Sequence, residues 1–190
     1  MARRGGTWVQ RWRVPLGFAC AAVFVVLARP DRRSLAVGGA VALLGLALRA
    51  WASGHIRKNA RLAVSGPYAH TRNPLYLGSF VLGLGFTVAA SSSPRLFLIL
   101  GGLFASLFLG IYWPVMRVEA ATLAGMFGEE YGAYAAAVPL LFPRLTPYKA
   151  GEASAAKFDP TLYMRYREYR AALGLLVAWC VLWLKAVLAF

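Results

Sequence analysis

The stretch 96–116 runs for 21 residues without one charged side chain. Crossing the hydrocarbon core of a bilayer takes about 20 predominantly apolar residues in a helix. Because lipid offers no hydrogen bonds, a single span must satisfy its backbone internally, which leaves the α-helix. Four further apolar segments occur, at 14–28, 35–54, 75–90 and 171–190. The first is short and needs Arg13 and Arg29 to extend their head groups toward water. The second carries Arg49 near its end, and the fifth carries Lys185 near its end. The fifth has a second reading, as a helix lying along the membrane surface. Hydrophobic residues make up 59% of the 190, and charged residues only 15%. A chain of this length has too much surface for its volume to hide that apolar content from water. The expected fold class is all-α membrane, a polytopic helical bundle of about five transmembrane helices.

The basic residues alternate with these segments. Four precede the first segment (Arg3, Arg4, Arg11 and Arg13), and three follow it (Arg29, Arg32 and Arg33). Five surround the next connection (Arg49, Arg57, Lys58, Arg61 and Arg72), and one, Arg95, lies in the third. Seven fall between Arg117 and Arg170, and Lys185 completes the set. Cytoplasmic connections of membrane proteins are enriched in Lys and Arg. The N-terminus, the second connection and the region after the fourth segment are therefore expected in the cytoplasm, and the cytoplasmic membrane of a bacterium is the expected location. The same placement accounts for the net charge of +14 without a nucleic-acid partner. Residues 1–28 have the charged-then-apolar shape of a signal peptide, but Arg29-Pro30-Asp31-Arg32-Arg33 follows instead of a small-residue cleavage site, so a retained helix is expected. Cys20 and Cys180 each sit inside an apolar run, without disulfide or metal spacing.

Two stretches on the expected cytoplasmic side are unlike ordinary connections. The first is Ser65-Gly66-Pro67-Tyr68-Ala69-His70-Thr71-Arg72-Asn73-Pro74-Leu75-Tyr76-Leu77-Gly78. Gly66-Pro67 marks a turn. Pro74 suits the first turn of a helix, with Asn73 before it as a capping residue. Arg72 and the free N–H groups of that helix start suit an anionic group, and Tyr68 and Tyr76 offer flat faces to a planar ring or a cation. The second runs from Arg117 through Glu119, Met126-Phe127-Gly128, Tyr131 and Tyr134 to Val138-Pro139-Leu140-Leu141-Phe142-Pro143-Arg144. Glu119 lies about one turn inside the membrane boundary, where an ionisable group is expected to face a cavity or a partner. Residues 126–134 read as an amphipathic helix that ends at Val138-Pro139.

Together these stretches resemble the integral-membrane methyltransferases, the group of isoprenylcysteine carboxyl methyltransferase and the phospholipid N-methyltransferases. The likeness spans roughly 64–144. It implies a cytoplasmic pocket for S-adenosylmethionine lined by Tyr68, His70, Arg72, Asn73, Pro74, Tyr76 and Gly78 and closed by Glu119, Tyr131 and Tyr134, with Glu119 and Arg72 in the catalytic roles. It further implies a lipid-like or prenylated acceptor arriving from the bilayer, and no metal. Many members carry His at the position of Asn73, a second Glu at the position of Ala120 and Arg at the position of Leu140. The Asn-Pro-x-Tyr-x-Gly-Ser form is nearer the phosphatidylethanolamine enzymes. The implied activity is S-adenosylmethionine-dependent transfer of a methyl group to a lipid-like or isoprenoid acceptor at the membrane–cytoplasm interface. The alternatives are a phospholipid amine as acceptor, for which Glu119 or His70 would serve as base, and a non-catalytic protein of the same fold. A channel or transporter would need polar residues along its spans, which show only Arg49 and Lys185 near their ends. The expected organisation is 1–54 for the first two membrane helices, 55–150 for the methyltransferase core, and 151–190 for a C-terminal extension with the fifth helix.

Overall fold

The computed structural model describes residues 8–57, 61–149 and 157–188. The order is α1 (Trp8–Leu27), α2 (Arg32–Ser53), a short 3-10 helix (Gly66–Ala69), α3 (Pro74–Ala89), α4 (Pro94–Ala137), α5 (Pro160–Arg165) and α6 (Tyr169–Leu188). The described residues form no strand beyond one isolated bridge between Arg29 and Ser91. Among the described residues three helices are long and apolar enough to cross a membrane, α2, α4 and α6. The structure thus supports an all-helical membrane protein with three candidate spans, fewer than the five expected. The segment at 75–90 becomes α3, apolar but only 16 residues long.

The starts of α2, α3 and α4 have local causes. Asp31 and Ser34 form a reciprocal capping box at α2: the Ser34 N–H donates to the Asp31 carboxylate at 2.7 Å, and the Asp31 N–H donates to the Ser34 hydroxyl at 2.9 Å. The same hydroxyl donates to the Ala89 carbonyl at 3.1 Å and so joins the start of α2 to the end of α3. Ser93 caps α4, with Pro94 in the first turn. At α3, Asn73 holds the capping position and Pro74 the first turn, as expected, but the Asn73 side chain makes no capping bond. Its amide donates instead to the Leu140 carbonyl at 2.9 Å. The separate amphipathic helix expected at 126–134 also differs. α4 continues past the apolar stretch and changes direction at Gly128, whose φ of 51° and ψ of −123° are open to glycine and strained for other residues.

α2 and α3 are packed backbone to backbone. A Cβ on Gly45 would lie 2.4 Å from the Leu82 nitrogen, and one on Gly85 would lie 2.4 Å from the Ala42 nitrogen. Gly38 meets Ala89 in the same way. In lipid, where burying apolar surface gives helices little reason to associate, such close approach supplies the van der Waals contact that holds them together. The glycines of the fourth apolar segment have no such role, since a Cβ on Gly102 or Gly110 would meet nothing within 4 Å.

Leu43, Leu44, Leu98, Ile99, Leu176 and Val177 are all exposed, as faces turned to lipid are. At one end of the bundle a small core gathers Ala28, Leu35, Ala89, Ala90, Leu100 and Leu182. There the Lys185 ammonium donates to the carbonyls of Val25 and Val26, the last turn of α1. At the opposite end Leu62, Val64, Tyr131, Tyr134 and Val138 form a second core, and the two motif stretches meet around it.

Candidate functional site at the motif end of the bundle

The backbone brings the two stretches together first. The Arg72 N–H donates to the Pro139 carbonyl at 3.0 Å, the Arg144 N–H to the His70 carbonyl at 2.9 Å, and the Tyr148 N–H to the Ala69 carbonyl at 2.9 Å. Side chains reinforce this seam. The buried Thr71 hydroxyl donates to the Leu141 carbonyl at 2.8 Å. The Nδ1 of His70 lies 2.8 Å from the Arg144 carbonyl. A carbonyl only accepts, so Nδ1 carries the proton in this contact. Arg144 is fixed in turn by the Ala137 carbonyl at 2.7 Å.

On this seam stands a cluster of tyrosines. The Tyr134 hydroxyl donates to the Tyr68 carbonyl at 2.8 Å, with both residues buried. The Arg72 guanidinium donates to the Tyr131 hydroxyl at 3.2 Å, and its buried Nε has no partner among the described residues. The Tyr131 and Tyr134 rings meet edge to face at 6.2 Å, and Tyr134 and Tyr148 at 5.4 Å. Tyr76 reaches across to α4, where its hydroxyl donates to Glu119 Oε1 at 2.9 Å and its ring lies 5.3 Å from that of Tyr112.

Burial, reinforced by the neighbouring Tyr134 and by the charges of Glu168 and Glu119, pushes the Tyr68 phenol far above the usual tyrosine range. Burial does the same to Tyr134, although the positive charge of Arg72 pulls the other way. Both hydroxyls therefore stay protonated at neutral pH and act as neutral polar groups.

Of the residues named from the sequence, the structure brings Tyr68, Arg72, Tyr76, Glu119, Tyr131 and Tyr134 to one end of the bundle. The other four are committed to holding the fold. His70 and Asn73 bind the backbone of residues 140–144, Pro74 is buried at the start of α3, and Gly78 lies against the Arg49 side chain and the Gly45 carbonyl of α2. Sequence reasoning missed Thr71, Tyr148 and the Arg144 anchor. It also missed a second polar cluster in which Arg49 binds Ser79, the Leu75 carbonyl and Glu168. The signal for that cluster was an arginine inside an apolar segment. Its partner lay too far along the chain to be named.

The site offers a guanidinium, that of Arg72, with no carboxylate partner among the described residues. Such a group suits an anionic or electron-rich organic ligand. No group of three or more His, Cys, Asp or Glu placed to hold a metal ion occurs among the described residues.

No family model matches the chain, and no solved structure matches it. Two curated relatives do. The cobalt-zinc-cadmium resistance protein CzcN of Cupriavidus metallidurans is 34% identical over 147 residues, 73% of this chain and 64% of the relative. The nickel-cobalt-cadmium resistance protein NccN of Alcaligenes xylosoxydans xylosoxydans is 32% identical over 116 residues, 58% of this chain and 52% of the relative. The chain spans less than two thirds of the length of these relatives. They overturn the expected methyltransferase, together with its isoprenylcysteine and phospholipid acceptors, because the similarity leads to proteins named for metal resistance. The geometry offers a physical reason for the misreading. Several motif positions, among them His70, Asn73 and Gly78, have structural duties here that require no bound donor.

Proposed function

We propose that this chain is an integral membrane protein contributing to resistance against cobalt, zinc, cadmium or nickel ions, and that it acts through an organic ligand held at the Arg72 end of the bundle. The 34% identity to the cobalt-zinc-cadmium resistance protein over 147 residues carries this reading. The site's chemistry shapes it. A guanidinium balanced only by a phenol repels a bare divalent cation and attracts an anion. The chain then works beside the machinery that moves metal and does not line the metal's path. S-adenosylmethionine, whose carboxylate suits Arg72, is kept as one candidate ligand; transfer of its methyl group is no part of the proposal. In this reading α1 and α3 complete a bundle of five helices, with the N-terminus and the site in the cytoplasm. The placement of Lys and Arg supports that orientation.

The test is metal tolerance. A strain lacking the chain is grown in graded cobalt, zinc, cadmium and nickel salts, then restored with the wild-type chain or with Arg72→Ala. The expected result is lower tolerance to at least one metal, recovered by the wild type and not by an equally abundant Arg72→Ala. Unchanged tolerance to all four metals on loss of the chain would overturn the reading.

A further inference from the structure

The Arg49–Glu168 pair reaches beyond its own helices. Arg49 stands four residues before the end of α2. One arm of its guanidinium donates to Ser79 and to the Leu75 carbonyl in the first turns of α3. The other donates to Glu168 Oε2 at 2.7 Å, in the turn between α5 and α6. Both side chains are largely withdrawn from solvent, at 22% and 13% exposure, so the pair is far less screened than a surface one.

The segment carrying Glu168 is tied down independently at its other end. The Asp159 N–H donates to the Gly54 carbonyl at 2.9 Å, and the Asp159 carboxylate lies 3.6 Å from the Arg57 guanidinium. The Phe158 ring occupies the space a side chain on Gly54 would need, 2.2 Å from that Cβ position. Between the two ties the chain turns through Arg167, the one non-glycine residue with positive φ among those described, at 55°. A bulky residue enters this left-handed region only where its surroundings over-determine it, and here the turn delivers Glu168 to Arg49. His55 links this segment to the 3-10 helix: its ring lies 6.2 Å from that of Phe158, and its Nδ1 lies 3.1 Å from the hydroxyl of Ser65, the residue that precedes that helix.

We propose that residues 157–170 form a clasp over one side of the candidate site, hinged on Gly54 and Phe158, with Glu168 seated on Arg49 as its catch. Glu168 is then a positioning residue. It holds a wall against Tyr68 and the 3-10 helix, and opening that wall exposes the site. The clasp lies outside the stretch 64–144 that drew attention in the sequence.

Amide hydrogen exchange on the purified full chain in lipid nanodiscs, with no metal added, tests this apart from any resistance phenotype. Glu168→Gln is expected to speed exchange at least about tenfold in 157–170 and also in 65–71, while α2 and α3 keep their protection. The reversed pair, Arg49→Glu with Glu168→Arg, is expected to slow both segments again, which loss of a merely local contact would not produce. Faster exchange confined to 157–170 would show that the segment covers nothing at the site and would overturn the proposal. So would unchanged exchange in both segments, or no recovery in the reversed pair when its α2 and α3 protection matches that of wild type.

Discussion

The hydroxyl of Tyr134 donates to the backbone carbonyl of Tyr68 at 2.8 Å, across 66 residues of chain. This bond fastens the last turns of α4 to the 3-10 helix before α3, and both residues lie in the interior, Tyr68 at 5% exposure and Tyr134 at 2%. Beside it the Arg72 guanidinium donates to the hydroxyl of Tyr131, whose ring meets that of Tyr134.

Removing that hydroxyl leaves a buried carbonyl without a donor. Tyr134→Phe is expected to destabilise the fold by about 1–3 kcal/mol. The measurement is denaturant unfolding in detergent, with Tyr148→Phe as the control, because no hydrogen bond of its hydroxyl is needed for the seam, which its backbone N–H makes. Equal effects of the two variants would contradict the role given to Tyr134.

The same two phenols set a pH limit. Tyr68 and Tyr134 are both raised above the ordinary tyrosine value, chiefly by burial. A group whose folded pKa is raised binds its proton more tightly in the folded state, so its contribution is fully present below the unfolded value. It is lost as pH rises past that value, about 10 for tyrosine. Stability is therefore expected to fall above about pH 10. Phenolate absorbance should show two tyrosines that ionise only as the helical signal collapses. Reversible ionisation of all nine tyrosines in the folded protein would count against this.

At the acid end His55 behaves in the opposite sense. Burial lowers its pKa, and its Nδ1 lies 3.1 Å from the Ser65 hydroxyl. A lowered His pKa contributes stability above the unfolded value, about 6.5, and loses it as pH falls. Hydrogen exchange in 62–66 is expected to quicken at mildly acid pH and to lose that dependence in His55→Gln.

The α2–α3 seam discriminates between glycines. Gly45→Ala or Gly85→Ala forces a Cβ against backbone and is expected to cost about 1–3 kcal/mol. Gly102→Ala meets open space and is expected to be neutral or to stabilise by up to about 1 kcal/mol. Thermal unfolding in detergent ranks them, and an equal ranking would refute the packing account.

Tyr76 and Glu119 join α3 to α4 on an exposed face. Their coupling in a double-mutant cycle of Tyr76→Phe and Glu119→Gln is expected to be at most about 1 kcal/mol, since water competes for both groups. A larger coupling would place the pair in a drier setting than the structure shows.

That this chain is helical and built for lipid is legible in its residues alone. A run of 21 uncharged residues has few other ways to satisfy its backbone, and the apolar segments, Pro74 in a first turn and the turn at Gly66-Pro67 are local properties. The sequence also brought forward the two stretches that meet, because Arg72, Tyr76, Glu119, Tyr131 and Tyr134 are unusual among apolar neighbours. What each does was decided only by the tertiary structure. Asn73 passes over the cap for the Leu140 carbonyl, His70 serves the backbone of Arg144, and Gly78 makes room for Arg49. The first two depend on carbonyls that arrive from more than 60 positions away, the third on a side chain from another helix, and no local pattern encodes that. The same holds for Glu168, an ordinary carboxylate in the sequence. Its meaning comes from Arg49, 119 residues earlier, with which it forms an ion pair largely shielded from water.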